Sequence, residues 1–106
     1  MSALDDEFLA LEEAVRRLIA LLEEADERFW IGYLTRGLRQ LQEHRLSGAT
    51  FVLGCFGGEG TLSDLVIGAQ LENSDPLRFR NQNARLGHLR TAVFEAANVI
   101  TSRRSW

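Results

Sequence analysis

The chain has 106 residues and no lysine; all twelve of its basic side chains are arginine. A P-loop needs a lysine at its phosphates, and Schiff-base catalysis needs one at its carbonyl, so both chemistries are excluded. Cysteine is nearly as scarce. The single Cys55 cannot form an internal disulfide, which fits a reducing compartment. Long apolar runs are missing too: the longest, Leu18 to Leu22, is far too short to span a bilayer. The first residues carry Asp5, Asp6 and Glu7, whereas a secretory signal opens with basic residues and then an apolar stretch. A cytoplasmic location is the resulting expectation. Hydrophobic residues make up 45% and charged residues 25%, the balance of a globular domain with one core. We expect a single helical domain over residues 1–106.

The net charge of −3 hides a strong segregation. Residues 1–27 carry nine acids and two arginines, a net of −7, and residues 28–45 carry +3. Residues 46–77 carry −4 with no base, and residues 78–106 carry +5. Either an electrostatic recognition surface or an acidic first helix lying against basic later ones accounts for this. The overall acidity argues against nonspecific nucleic-acid binding, which needs a concentrated basic face.

Helical periodicity dominates the chain. Leu4, Phe8, Leu11, Val15, Leu18, Ile19 and Leu22 recur at steps of three and four and predict a helix over residues 4–25. Glu12 and Glu13 lie four residues before Arg16 and Arg17, the favourable order for ion pairs along a helix. Asp26 is placed to cap a second helix, Glu27 to His44, with a stripe of Phe29, Trp30, Tyr33, Leu34, Leu38 and Leu41. Gly32 and Gly37 weaken that helix unless they permit close packing. Ser47 is placed to cap a short third helix reaching Cys55, although Ala49 to Leu53 also suits a strand. Leu65, Val66 and Ile67 read as a short buried piece of open type. Asp75 followed by Pro76 has the form of an N-cap and first helical residue. The last helix is clear from Ala84, on Leu86, Leu89, Val93, Ala96, Ala97 and Ile100, and its start lies anywhere from Pro76 to Ala84. The expected fold is all-α, a small bundle of three to four helices with a glycine-rich loop.

That loop holds four glycines in the seven residues from Gly54 to Gly60. Its Gly-x-Gly-x-x-Ser form from Gly58 to Ser63 has no secure strand before it, and Glu59 would repel a phosphate. A protein-binding surface with Glu59 and Asp64 as acceptors is a second reading. A tight connection, with Thr61 capping the next turn and Asp64 in capping-box spacing, is a third. His44 and His88 bear no motif relation to Cys55, so neither a nucleophilic pair nor a metal set is indicated. No cofactor and no enzymatic activity are expected. Glu23, Glu24, Asp26 and Glu27 form either a solvated helix face or an acidic partner-binding group. Asn81, Gln82 and Asn83 form a polar cluster before the last helix, suited to a turn or to adaptable contacts. Trp30, Tyr33 and Trp106 are aromatic residues suited to core packing or to an interface.

The stretch from Phe29 to Leu65 resembles a family of small, largely uncharacterised bacterial proteins. These show an aromatic-rich helix, a Phe/Tyr-Gly-Gly-x-Gly-Ser-x-x-Asp-Leu segment and a C-terminal helix. The matching residues here are Phe29 and Trp30, then Phe56 to Leu65. Glu59, Thr61 and Ser63 stand where the family commonly has methionine, serine and asparagine. The resemblance implies a toxin immunity protein, which binds and neutralises a cognate interbacterial toxin domain. If the chain is such a protein, its own charges offer Glu59 and Asp64 on the loop with Gly57, Gly58 and Gly60, and Glu23, Glu24, Asp26 and Glu27 for a basic toxin, as the expected contacts. For an acidic toxin the contacts would be Arg78, Arg80, Arg85 and Arg90. The other reading is a homo-oligomeric or adaptor helical module with no toxin partner, in which a homodimer buries an apolar patch.

Overall fold

The computed structural model of the chain describes residues 2–57 and 60–103. Helix α1 spans Ala3–Glu24 and begins with a capping box. The Asp5 N–H donates to the Ser2 hydroxyl at 3.1 Å, and the Asp5 carboxylate accepts from the Ser2 N–H at 3.4 Å. Phe8, Leu11, Val15, Leu18 and Leu22 of the expected stripe are fully buried, together with Leu21. Each such side chain contributes about 1.5–3 kcal/mol by leaving water. Glu13 pairs with Arg17 at 2.9 Å as its spacing predicts, while Glu12 lies buried on the flank of the stripe.

Helix α2 spans Arg28–Gln42, and the turn before it corrects the expected role of Asp26. Asp26 does not cap α2; it ends α1. Its φ is +57°, its N–H donates to the Glu23 carbonyl, and the Glu27 N–H donates to the Leu22 carbonyl. That pair of bonds is a Schellman motif with an aspartate in the left-handed position usually held by glycine. His44 repeats the device at the end of α2, with φ +54° and the Arg45 N–H donating to the Gln40 carbonyl. The His44 ring stacks on Phe8 at 5.0 Å and bonds Asp5 at 2.9 Å, tying the start of α1 to the end of α2. The two helices therefore run antiparallel.

Helix α3, Leu46–Leu53, resolves the strand alternative in favour of helix. Its N-cap is Arg45 and not Ser47, which lies inside the helix; the Ser47 hydroxyl donates to Gln40 at 2.8 Å instead. A Cβ added at Gly37 would lie 2.8 Å from the Val52 side chain, so this glycine lets α2 and α3 approach closely. Gly32 faces open space and has no such role. Tyr33 completes the contact, stacking on Phe51 and donating its hydroxyl to the Phe51 carbonyl at 2.7 Å.

After one 3-10 turn at Leu62–Asp64 the chain runs extended to Ile67, makes the one-turn helix α4 at Leu71–Ser74, and enters α5. Helix α5 runs Pro76–Thr101, and Asp75 caps it as the sequence predicts, accepting from the Arg78 N–H at 3.2 Å. At 26 residues it is the longest element, about 39 Å, and α1, α3 and α4 all pack on it. Glu7 pairs with Arg103 at 3.0 Å and Glu24 with Arg85 at 3.3 Å, so α1 runs antiparallel along α5. These pairs set acidic α1 against basic α5. The fold is all-α, with five helices of which α4 is a single turn, and no strand among the described residues.

Candidate functional site

The segment from Leu62 to Ile67 is built against α5 by side chains that reach out of that helix. The Leu62 N–H donates to the Cys55 carbonyl at 2.9 Å and closes the base of the loop. Thr61 accepts from the Ser63 N–H at 3.3 Å, as its expected capping role requires. Asp64 accepts from the Gly60 N–H at 3.1 Å, so this acid shapes the loop from within while remaining exposed. Gly60 has φ +80°, a conformation open to glycine at no steric cost. Gly57 is exposed, and Gly58 and Glu59 lie outside the described residues.

Two polar residues of α5 hold the stretch from Leu62 to Ile67. One Arg90 nitrogen, Nη1, donates to the carbonyls of Leu62, Ser63 and Leu65 at 3.1, 3.1 and 3.2 Å. The Asn83 amide donates to the Ile67 carbonyl and accepts from the Ile67 N–H, both at 2.9 Å. It treats Ile67 as a neighbouring strand would, and satisfies both backbone groups of a buried residue. The next residue, Gly68, has φ +65° and sits against Gln82, itself only 6% exposed. The cluster Asn81 to Asn83 is thus neither a turn nor a free surface. Two of its three residues lie on the packed side of α5, and Asn81 alone is exposed. Arg90, an outward contact for an acidic partner on the sequence reading, is spent on loop carbonyls.

The assembled segment leaves a groove of about 450 Å³ along α5, lined by Phe56, Ser63, Arg90 and Phe94 among others. Phe56 meets Phe94 edge-on at 5.4 Å, and Phe94 remains 43% exposed. Val66, just beyond the groove residues in sequence, is also exposed. The groove thus joins part of the motif segment to a helix face that the sequence reading overlooked. Phe94 stands one position off the apolar stripe at Val93, which is the signal available in sequence.

The acidic group lies elsewhere. Glu23, Glu24 and Asp26 are exposed and Glu27 is half-buried, at the α1–α2 turn. Glu24 is engaged by Arg85, and Asp26 by Arg28 at 3.0 Å. Arg85 and Arg90 are five residues apart and point about 140° apart around the helix. The acids at Glu24 and the loop at Asp64 therefore flank α5 on different sides and do not form one surface patch.

Cys55 is fully buried, and burial pushes its thiol up to about 12. Such a group is protonated at neutral pH. Tyr33 is also raised, by burial first and then by Cys55. Among the described residues no group of three or more His, Cys, Asp or Glu side chains is placed to hold a metal ion. No helix of the described residues is long and apolar enough to cross a membrane. Trp30 and Tyr33 are half-buried and join Phe29 to Phe51 in a chain of ring contacts at 4.9, 5.7 and 4.3 Å, with Phe29 itself 71% exposed. Trp106 lies outside the described residues.

Fold and site define an all-α domain whose distinctive feature is a helix-anchored loop bordering an aromatic groove. Comparison with protein-family models, with curated proteins and with solved structures gives no match.

Proposed function

We propose that the chain is an immunity protein that binds and neutralises a toxin domain through the groove between the motif loop and α5. The observation that carries this reading is the anchoring of the loop. Five hydrogen bonds made by the side chains of Asn83 and Arg90 fix residues 62–67 beside an exposed phenylalanine. A surface ordered before binding loses little conformational entropy on association, and aromatic anchors in such surfaces carry much of the binding energy. Asp64, next to the groove residue Ser63, would supply a polar contact, and Glu59 is the second acceptor proposed for the partner. The acids Glu23 and Glu27 would act at longer range, steering a basic partner toward the molecule.

The test is protection. The C-terminal domain of a secreted protein encoded beside this chain's gene is expressed alone and together with the chain. Growth restored by co-expression, and lost with Phe94→Glu, supports the reading. Restored growth that is indifferent to Phe94→Glu moves the contact away from the groove. Toxicity unaffected by the wild-type chain refutes the reading.

A further inference from the structure

The outward crest of α5 carries a pattern that meets the groove only at Glu95. Around a helix of 3.6 residues per turn, Leu77, Asn81, Ala84, His88, Ala92, Glu95 and Val99 fall within about 80° of one another, opposite the core residues Leu86, Val93 and Ala97. All seven are exposed, Leu77 by 61% and Val99 by 52%. The crest stands between two depressions. The Phe94 groove lies on its loop side, and a second hollow of about 310 Å³, lined by Arg17, Ala20, Arg85, His88 and Leu89, lies on its α1 side.

The pattern is symmetric about His88. Counting outward in both directions, Ala84 mirrors Ala92, Asn81 mirrors Glu95, and Leu77 mirrors Val99. Two antiparallel copies of α5 related by a two-fold axis at His88 would bring each residue against its mirror on the other copy. Apolar ends would meet apolar ends, and the alanines would let the helices approach closely. The Asn81 amide would donate to the Glu95 carboxylate of the second copy, twice by symmetry. Glu95 is the only acid after residue 77, and it has no ion-pair partner among the described residues of its own chain. Antiparallel helix dipoles add to the fit. Self-complementarity of this kind is what a two-fold interface requires.

We infer that the chain forms an antiparallel homodimer through the α5 crest, with its two-fold axis at His88. This dimer is independent of the immunity reading. In it the second copy covers the crest, including Glu95 at the rim of the groove, while Phe94 points about 120° away from His88 around the helix.

Light scattering and single-cysteine cross-linking test it together. The wild-type chain is expected at about twice its 11.9 kDa mass, falling to monomer on dilution. Ala92→Arg, a charge on an exposed helical position, is expected to weaken the dimer at least tenfold with unchanged helical circular dichroism. Under oxidation His88→Cys is expected to cross-link rapidly, because the axis places it against itself. Ala92→Cys alone is expected not to, because it lies about 12 Å along the axis from its own copy, beyond disulfide reach. Combining it with Ala84→Cys restores the cross-link. The native Cys55 is buried and does not interfere. A monomer at every concentration up to about 1 mM overturns the inference. A dimer indifferent to Ala92→Arg overturns it as well, and so does cross-linking of Ala92→Cys as fast as His88→Cys.

Discussion

Replacing Asn83 by alanine removes the one side chain that satisfies both backbone groups of Ile67. Ile67 is fully buried, so water does not replace the lost partners without disturbing the core. Each buried backbone group left without a hydrogen bond costs about 1–3 kcal/mol. The Asn83 amide also donates to the Phe79 carbonyl at 2.9 Å, but that carbonyl keeps its place in the helix and adds little. The expected loss is therefore about 2–4 kcal/mol, allowing for partial relaxation of the segment. Against a typical total of about 5–15 kcal/mol this is severe. At about 4–8 °C per kcal/mol for a domain near this size, the midpoint of thermal unfolding falls by roughly 10–30 °C. Urea unfolding gives the free energy, and an unchanged slope shows that the folded and unfolded states have kept their compactness. Asn83→Asp is expected to be no milder. Its carboxylate still accepts from the Ile67 N–H, but at neutral pH it cannot donate and faces two carbonyls. A loss below about 0.5 kcal/mol in Asn83→Ala, the range of an ordinary surface substitution, would refute the claim that this amide holds the segment.

Three further perturbations separate neighbouring effects. Gly37→Ala is expected to cost about 1–3 kcal/mol, because its Cβ would crowd Val52, while Gly32→Ala, which meets open space, gains up to about 1 kcal/mol of helix propensity; paired denaturation curves check the opposite signs. Asp26→Gly is expected to raise stability by about 0.5–1 kcal/mol by relieving the left-handed backbone, since the exposed Arg28 pair it gives up is worth little; the urea midpoint reads the change. The third concerns pH. The Asp5 carboxyl is held below its ordinary 3.8, first by the Ser2 backbone N–H, then by the Ser2 hydroxyl and by His44. Its stabilisation is thus present above the unfolded value and is lost as pH falls through the lowered one. Asp5→Asn is expected to flatten the acid limb of the stability–pH profile below about pH 4, and an unchanged limb would count against the linkage.

The parts of the fold that local chemistry dictates were legible in the residues. The α1 stripe and the Asp75-Pro76 cap follow from periodicity and from capping, which act within one or two turns, whereas periodicity alone left the start of α5 open between Pro76 and Ala84. The misreadings have physical causes. Asp26 suits a helix start and also tolerates a left-handed helix end, and only the backbone angle distinguishes the two. The same ambiguity hid the role of His44. Ser47 offered a cap, but its hydroxyl is taken up by Gln40 of the preceding helix. Of the site, the break after α3 was visible through its glycines, whereas the anchors beyond it were not. Arg90 and Asn83 act across 25 to 28 and 16 residues of sequence, on carbonyls and an N–H that every residue type shares. No residue pattern marks such targets. Phe94 was overlooked because it borders the apolar stripe and reads as part of the core edge.

The central claim is that the anchored loop and the Phe94 face of α5 form a surface for another protein. Calorimetric titration of the chain with the toxin domain proposed as its partner tests this most directly. The account predicts saturable binding by the wild type and a loss of at least tenfold in affinity with Phe94→Glu, in a variant whose unfolding midpoint is preserved. Affinity that is the same for both proteins would contradict it.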